Sequence, residues 1–310
     1  MILSVSRRTD IPCYYAEWFM NRIRAGYVLT RNPMNHAQLY RIPLSPAFVD
    51  CIVFWTKDAQ NILPFLDDLD AYGYPYYFQF TITPYGRDLE PGLRDKATII
   101  NTFCALSQRI GPERVLWRYD PIILNDTYTI AYHKEQFARM CQIIAPYTSR
   151  VTISFVDLYS KLHTALLRSI TSAEMEVLCS SFSAIAQSYR LPVYACCEDV
   201  GLAPYGIQQA ACIDRTLVSS LCGESLKIPR DSNQRPGCGC AASIDIGAYD
   251  TCLNGCVYCY ANRSASSASR RYAQYDPASE LLFGHVQEGE TVQIRKVSSY
   301  KNRETQLSFE

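Results

Sequence analysis

Three cysteines late in the chain have a spacing that suits a metal centre. Cys252, Cys256 and Cys259 lie in the segment TCLNGCVYCYA, with three residues between the first pair and two between the second. Thiolates bind the irons of Fe–S clusters, and this close spacing lets one short loop supply several corners of a cubane. Three thiolates on four irons leave one iron open, and an open position lets a metal centre bind a substrate or cofactor directly. The loop therefore predicts a [4Fe–4S] site with a free iron.

A structural zinc site is the alternative interpretation of this loop. Two cysteines separated by two residues are also typical zinc ligands, but zinc sites usually pair two such motifs. The segment has a single motif, a longer first spacing and two tyrosines. These features favour an Fe–S cluster over zinc.

The segment CLNGCVYCYA resembles the cluster-binding loop of the radical S-adenosylmethionine (SAM) superfamily, C-x3-C-x2-C with an aromatic residue before the third cysteine. The resemblance implies that Cys252, Cys256 and Cys259 bind a [4Fe–4S] cluster and that Tyr258 flanks the adenine of SAM. In that superfamily the open iron binds the amino and carboxylate groups of SAM, and reduction yields a 5′-deoxyadenosyl radical. An electron donor of the flavodoxin or ferredoxin type is implied as a partner.

The position of the loop departs from the superfamily, in which it follows the first strand of the barrel. Here it follows a strand predicted at Ala242–Ile246, near the end of the chain. The resemblance then implies a circular permutation, with Ile2–Ser6 as the second strand. Parallel barrels tolerate permutation because termini often lie close together. The local sequence is especially similar to the loop of spore photoproduct lyase, and the whole chain resembles a bacterial family of unknown function, which indicates no substrate.

The chain contains fourteen cysteines, and nine of them lie between residues 196 and 259. The N-terminal sequence has no signal-peptide pattern and no apolar segment approaches 18 residues, so we expect a cytoplasmic protein in which clustered cysteines bind metals rather than form disulfides. Four of them are predicted to hold a second Fe–S cluster: Cys197, Cys212, Cys238 and Cys240. In the alternative, Cys196, Cys212 and Cys222 pack in the core, and Cys238 and Cys240 are only part of a loop.

Polar side chains after the predicted strands are further candidates. Arg7, Arg8 and Asp10 follow the first strand, where an arginine fork suits the carboxylate of SAM and an aspartate suits its ammonium group. The alternative is a basic turn followed by a helix N-cap.

Charged residues after apolar strands are costly to bury alone, so several at the same end of the sheet would indicate a site. The candidates for catalysis are Lys57, Arg118, Asp120 and Asp157. Each is otherwise an ordinary loop or ion-pair residue.

The elements that must position these residues alternate along the chain. Strands are predicted at Ile2–Ser6, Cys51–Trp55, Tyr76–Thr81, Arg114–Arg118, Val151–Phe155, Pro192–Cys196 and Ala242–Ile246, and helical periodicity occupies the segments Tyr15–Ala25, Gln60–Tyr72, Arg94–Ile110, His133–Ala145 and Ala173–Tyr189. Such alternation predicts an α/β fold with parallel strands, either a partial or a full (β/α) TIM-type barrel. An open doubly wound sheet is the alternative, although no GxGxxG or Walker loop supports it.

The chain is predicted to form one barrel over residues 1–262, with a hairpin inserted at 27–42, a cysteine-rich segment at 196–262 and a surface tail at 263–310. The formal net charge is +0, from 30 basic and 30 acidic residues, so charge does not support nucleic-acid binding. Three functional hypotheses follow: a radical SAM enzyme, a non-catalytic or electron-transfer Fe–S protein, and a zinc-stabilised barrel hydrolase.

Overall fold

The computed structural model describes residues 1–32, 35, 37–159, 164, 166–198, 201–235 and 237–301. The strands are β1 (Ile2–Val5), β2 (Tyr27–Arg31), β3 (Gln38–Pro43), β4 (Cys51–Thr56), β5 (Tyr76–Thr81), β6 (Val115–Ile122), β7 (Val151–Phe155), β8 (Val193–Ala195), β9 (Gln208–Gln209), β10 (Ser243–Asp245) and β11 (Thr291–Ile294). The helices are α1 (Ile11–Tyr14), α2 (Ala16–Ala25), α3 (Leu66–Ala71), α4 (Lys96–Ile110), α5 (Ile130–Ile144), α6 (Ser172–Ser188), α7 (Arg215–Cys222) and α8 (Ala265–Tyr272). No helix within these ranges has the length and apolar character needed to cross a membrane.

Eight strands form one parallel sheet in the order β10-β1-β4-β5-β6-β7-β8-β9. The predicted α/β fold with parallel strands is therefore confirmed. Apart from β10, which lies beside β1, strands follow one another in chain order and the order never reverses. Strands of a TIM-type barrel follow one another in this way, whereas a doubly wound sheet reverses its strand order. Among the described residues, no ladder joins β9 to β10, so the strands form a large parallel sheet and no closed barrel.

Three of the helices that cover the sheet begin at residues whose side chains cap the helix N-terminus. Asp95 accepts hydrogen bonds from the backbone at the start of α4, and Thr129 does so at the start of α5. Thr171 and Glu174 form a reciprocal capping box at the start of α6. Side-chain oxygens at these positions satisfy backbone N–H groups that have no partner inside the helix. The caps fix where each helix returns toward the next strand.

The core between sheet and helices is aromatic. Phe54 and Phe78 stack with ring centroids 4.6 Å apart, and Phe137 stacks on Phe182 at 4.0 Å. These side chains are fully buried, and burial of large apolar area is the main force that holds helices onto the sheet. The rigid sheet in turn fixes the positions of the loops at its carboxyl edge.

The inserted hairpin and the C-terminal tail meet in a second, smaller sheet. β2 and β3 pair antiparallel, as predicted for residues 27–42, of which 33, 34 and 36 lie outside the described residues. β11 joins β3 in parallel. The tail also packs against α2, where Trp18 Nε1 donates to Ser279 O at 3.0 Å. Residues 302–310 of the predicted tail lie outside the described residues.

One strand is longer than the sequence indicated. The predicted end at Arg118 is wrong, because β6 continues to Ile122 and contains Asp120. The ladder with β7 is irregular between Tyr119 and Ile122, around Pro121. Proline cannot donate to a ladder and lies in strands mainly at such irregularities. Asp120 therefore stands inside a strand, not after one.

Candidate active site

One cavity of about 340 Å³ opens at the carboxyl edge of the parallel sheet. It is formed by the segments that follow β1, β4, β7, β8 and β10, together with the last part of β6. Every residue predicted for the site lines it: Arg7, Arg8, Asp10, Lys57, Arg118, Asp120, Asp157, Cys197, Cys212, Cys238, Cys240, Cys252, Cys256, Tyr258 and Cys259. The carboxyl ends of parallel strands meet at one edge, and this explains the convergence. The role of each residue remains a prediction.

The three-cysteine loop (residues 251–261) is docked by its backbone onto the segment before α4. Gly92 N donates to Asn254 O at 3.0 Å, and Val257 N donates to Leu89 O at 2.9 Å. A β-carbon built at Gly92 would lie 2.2 Å from Leu253 O, so only glycine permits this approach. The loop shape is therefore set by contacts with a different segment as well as by its own sequence.

Replacing Gly92 with alanine is expected to push the three-cysteine loop out of position, because the obstructing atoms are backbone and cannot rotate away. Overpacking of this kind costs about 1–3 kcal/mol. We expect lower thermal stability and less iron retained per chain after anaerobic reconstitution. Gly201→Ala is the control, since a β-carbon there meets nothing within 4 Å. Full iron content in Gly92→Ala would contradict this account of the loop.

Asp10 connects the loop to the segment after β1. It is the N-cap of α1, where its side chain accepts from Cys13 N at 3.1 Å, so the alternative interpretation as a helix cap is confirmed. The carboxylate also accepts from Lys57 N at 2.8 Å and from Asn254 Nδ2 at 3.1 Å. Burial raises the pKa of Asp10 to about 6, against the effect of these hydrogen bonds. Asp10 thus braces the loop, and its contact with a cofactor ammonium stays a prediction.

A buried ionic network supports the other side of the loop. Glu90 is 1% exposed and accepts from Lys57 Nζ at 2.8 Å and from Thr83 Oγ1 at 2.8 Å. Its carboxylate also accepts from Lys96 Nζ and from the Tyr258 hydroxyl. Burial opposes ionisation of Glu90, but the two lysines more than offset it and lower its pKa to about 2. The network holds Tyr258 and keeps a lysine cation next to the loop.

The segment after β1 presents unpaired polar atoms to the cavity. Arg7 Nη2 and Thr9 Oγ1 are buried and have no hydrogen-bond partner within the described part of the chain. Arg7 Nη1 lies 3.7 Å from Asp231 Oδ2, and the guanidinium lies 5.2 Å from the Trp55 ring centroid. A buried donor without a partner is costly and is commonly satisfied by a ligand. A carboxylate in the cavity would satisfy Arg7.

Asp245, at the end of β10, fixes the turn that carries Arg7. Its carboxylate accepts from Ser4 Oγ at 2.8 Å, Ser6 Oγ at 2.6 Å and Arg7 N at 2.8 Å. Three hydrogen bonds between adjacent parallel strands hold the start of the three-cysteine loop against the segment after β1. The strand next to β1 is therefore part of the site, not only of the scaffold.

The remaining predicted residues line the cavity from β6 and from the segment after β7. Arg118 forms an ion pair with Asp120, whose carboxylate also accepts from the Ser154 hydroxyl. Asp157 forms a half-exposed ion pair with Arg235 at 2.9 Å. These contacts agree with the interpretation of Arg118, Asp120 and Asp157 as ion-pair residues. All three also line the cavity, so their positions are compatible with a catalytic role.

Five thiols also line this cavity: Cys196, Cys197, Cys212, Cys238 and Cys240. We call them the five-thiol group. Cys196 Sγ and Cys212 Sγ lie 3.3 Å apart. Cys222 lies elsewhere and donates to Asp50 O at 3.2 Å.

Within the described ranges, no three Cys, His, Asp or Glu side chains are placed to surround a single metal ion. A cubane makes a different demand, because each thiolate binds a different iron and the ligands stand apart. The residues present suit that demand in kind: three thiols on one loop, a lysine beside them and an arginine with an unsatisfied nitrogen in the same cavity. They are compatible with the predicted cluster, whose presence stays a prediction.

Sequence reasoning missed two members of the site. Glu90 lies in a polar loop beside Asp88, and no sequence pattern distinguishes a carboxylate that will be buried from one that will be exposed. Cys196 was left out of the predicted second cluster and was named only among the packing residues of the alternative, yet it lines the cavity. Its position directly before Cys197 was the available signal.

A family model described as "Domain of unknown function (DUF1848)" matches residues 2–261. No curated protein matches the chain. The chain is similar to a crystal structure reported as a candidate alpha-L-fucosidase from Bacteroides thetaiotaomicron, with 10% identity over 72% of this chain and 83% of that chain and a TM-score of 0.26. That likeness is too low to carry an argument about fold or activity.

Proposed function

The chain belongs to the DUF1848 family, whose description names no activity, and we propose that this protein is a radical SAM enzyme of circularly permuted architecture. The observation that carries the proposal is the place of the three-cysteine loop. It follows β10, which pairs in parallel with β1, and it faces a cavity at the carboxyl edge of the sheet. The superfamily that the loop resembles requires this neighbourhood of strands, whatever their order along the chain.

Cys252, Cys256 and Cys259 would hold a [4Fe–4S] cluster. When bound, the cluster would supply the electron that cleaves SAM and starts radical chemistry on the substrate. The role of the protein is to bind, orient and shield. Asn254, between the first two cysteines, is held by Asp10 and by the Tyr14 hydroxyl at 2.8 Å, so the loop is preorganised.

Two cations would recognise the carboxylate of SAM or balance the charge of the cluster. Arg7 offers an unpaired guanidinium nitrogen in the cavity. Lys57 lies next to Cys256 and 5.5 Å from the Tyr258 ring centroid. Lys57 is paired with Glu90, whereas Arg7 has a buried nitrogen without a partner, so Arg7 in particular favours an anionic ligand in the cavity. A cavity of about 340 Å³ is also within the range of small-molecule sites, roughly 300–1,000 Å³.

A second candidate function is an electron-transfer Fe–S protein, which needs a fourth thiolate to close the cluster. Cys240 was the proposed source of that ligand. Its thiol interacts instead with Cys212 and Cys238, in the five-thiol group. This arrangement supports the open cluster over the closed one. The zinc hydrolase hypothesis has no support from the donor set.

The proposal is tested on anaerobically purified protein by iron and sulfide analysis and by EPR of the reduced protein with and without SAM. We expect a [4Fe–4S] signal whose shape changes when SAM is added, and 5′-deoxyadenosine among the products of SAM after reduction with dithionite. A colourless protein that carries zinc, or a cluster signal indifferent to SAM, would overturn the proposal.

A further inference from the structure

The five-thiol group gathers cysteines from three separate segments of the chain. Cys196 and Cys197 follow β8, Cys212 follows β9, and Cys238 and Cys240 precede β10. Cys196 Sγ lies 3.3 Å from Cys212 Sγ, and Cys238 Sγ accepts from Cys240 N at 3.5 Å. Cys212 also interacts with Cys240, and Cys238 with Cys197. The five sulfurs therefore form one connected group.

Burial makes the group unlike a set of surface thiols. Cys212 and Cys238 are each 5% exposed and Cys240 is 2% exposed. None of the five is in a disulfide. The thiols also line the cavity instead of only packing inside the core. Packing alone would explain one or two small buried residues here, but not five thiols linked by successive contacts.

A buried arginine points its charge at the group. Arg118 is 5% exposed, and its Nη1 donates to Cys212 Sγ at 2.9 Å. The guanidinium of Arg7 also interacts with Cys240 and Cys212. Cations beside a thiol favour the thiolate, which is the form that binds metals. Two guanidinium groups gain little electrostatic stabilisation from neutral thiols. They would balance the negative charge of a thiolate–metal group.

We infer that the five-thiol group holds a second Fe–S cluster, with Cys212, Cys238 and Cys240 as ligands and the fourth ligand from the adjacent pair Cys196–Cys197. This goes beyond the proposed function, because the site shares no residue with the three-cysteine loop, although both line the same cavity. A cluster with four protein thiolates has no open iron, so it exchanges single electrons with its surroundings and does not bind a ligand.

The experiment isolates this site in a variant in which Cys252, Cys256 and Cys259 are all alanine. The three substitutions leave every residue of the five-thiol group in place, so the variant reports on the second site alone. After anaerobic reconstitution with iron and sulfide, we expect the variant to retain about half the iron of the wild type. The reduced variant should give an EPR signal that SAM does not change.

The reciprocal variants are Cys212→Ala and Cys240→Ala. Each is expected to lower the iron content about two-fold while the SAM-dependent EPR signal of the other cluster persists. Cys104→Ala, on α4 and outside the cavity, is the matched control and should leave the iron content unchanged. Circular dichroism confirms that each variant is folded.

Three outcomes would overturn the inference. The triple variant could contain no iron, it could contain one zinc per chain, or thiol titration of the metal-free protein could show Cys196 and Cys212 joined as a disulfide. Failure of the proposed function gives a different result from these three outcomes. If only the proposed function is wrong, the triple variant keeps its cluster and the wild type shows no response to SAM.

Discussion

Replacement of Cys252, Cys256 or Cys259 by alanine is expected to eliminate reductive cleavage of SAM, a loss of more than about 100-fold. Changes around a metal site that leave its ligands intact already cost about 10–100-fold. Removal of a ligand should exceed this, because the loop supplies only three thiolates. The measurement is the rate of 5′-deoxyadenosine formation under reducing, anaerobic conditions, with the iron content determined in parallel.

Two comparisons make this result specific to the loop. Cys141→Ala changes a fully buried cysteine of α5 and should lower stability without lowering iron content, since that thiol lies outside the cavity. Cys252→Ser keeps the size of the side chain but weakens the iron ligand, so its loss of activity should resemble that of Cys252→Ala. Wild-type SAM cleavage in any of the three alanine variants would refute the assignment of that ligand.

Glu90→Gln is expected to destabilise the folded protein by about 3–5 kcal/mol, because it removes a fully buried carboxylate and leaves the partly buried cations of Lys57 and Lys96 without it. Urea unfolding of the metal-free protein measures this change. Asp67→Asn breaks an ion pair with Arg109 at the surface, where Asp67 is 86% exposed, and should cost at most about 1 kcal/mol. Equal effects of the two substitutions would show that the network does not hold the site together.

The pH dependence of stability follows from the same carboxylate. The folded-state pKa of Glu90, about 2, is below its ordinary value of 4.5, so ionisation stabilises the fold. This contribution is complete above pH 4.5 and is lost as the pH falls from 4.5 toward 2. The Glu90→Gln variant should lack this part of the acid dependence.

The double variant Glu90→Gln with Lys57→Met should recover part of the stability that Glu90→Gln loses, because one uncompensated charge is removed.

The scaffold was largely predictable from the sequence because strands and helices here follow local patterns. The bounds Tyr76–Thr81 and Val151–Phe155 match the predicted strands, and the strand predicted at Ala242–Ile246 lies beside β1. The exceptions are long-range or irregular. β9 has only two residues, and β6 passes through a proline that normally ends a strand.

The convergence of the site was predictable, whereas its contacts were not. Parallel strands bring their carboxyl edges together, so residues as distant as Arg7 and Asp157 were expected at one mouth. Which carboxylate would be buried between two lysines depends on how a loop folds back, and Glu90 has no local pattern that separates it from Asp88. For the same reason, the partnership of Arg118 with Cys212, across 94 residues, could be found only in three dimensions.

The late position of β10 has a consequence for biosynthesis. While the ribosome makes the chain, β1 emerges first, and its pairing edge stays unprotected until a segment some 240 residues later arrives, as the contact between Ser4 and Asp245 shows. Unpaired strand edges on nascent chains are prone to aggregate and to recruit chaperones. The cysteines of the loop leave the ribosome after nearly all other residues that line the cavity. Insertion of the proposed cluster would therefore be a late event in maturation, made onto a nearly finished framework rather than onto a growing one.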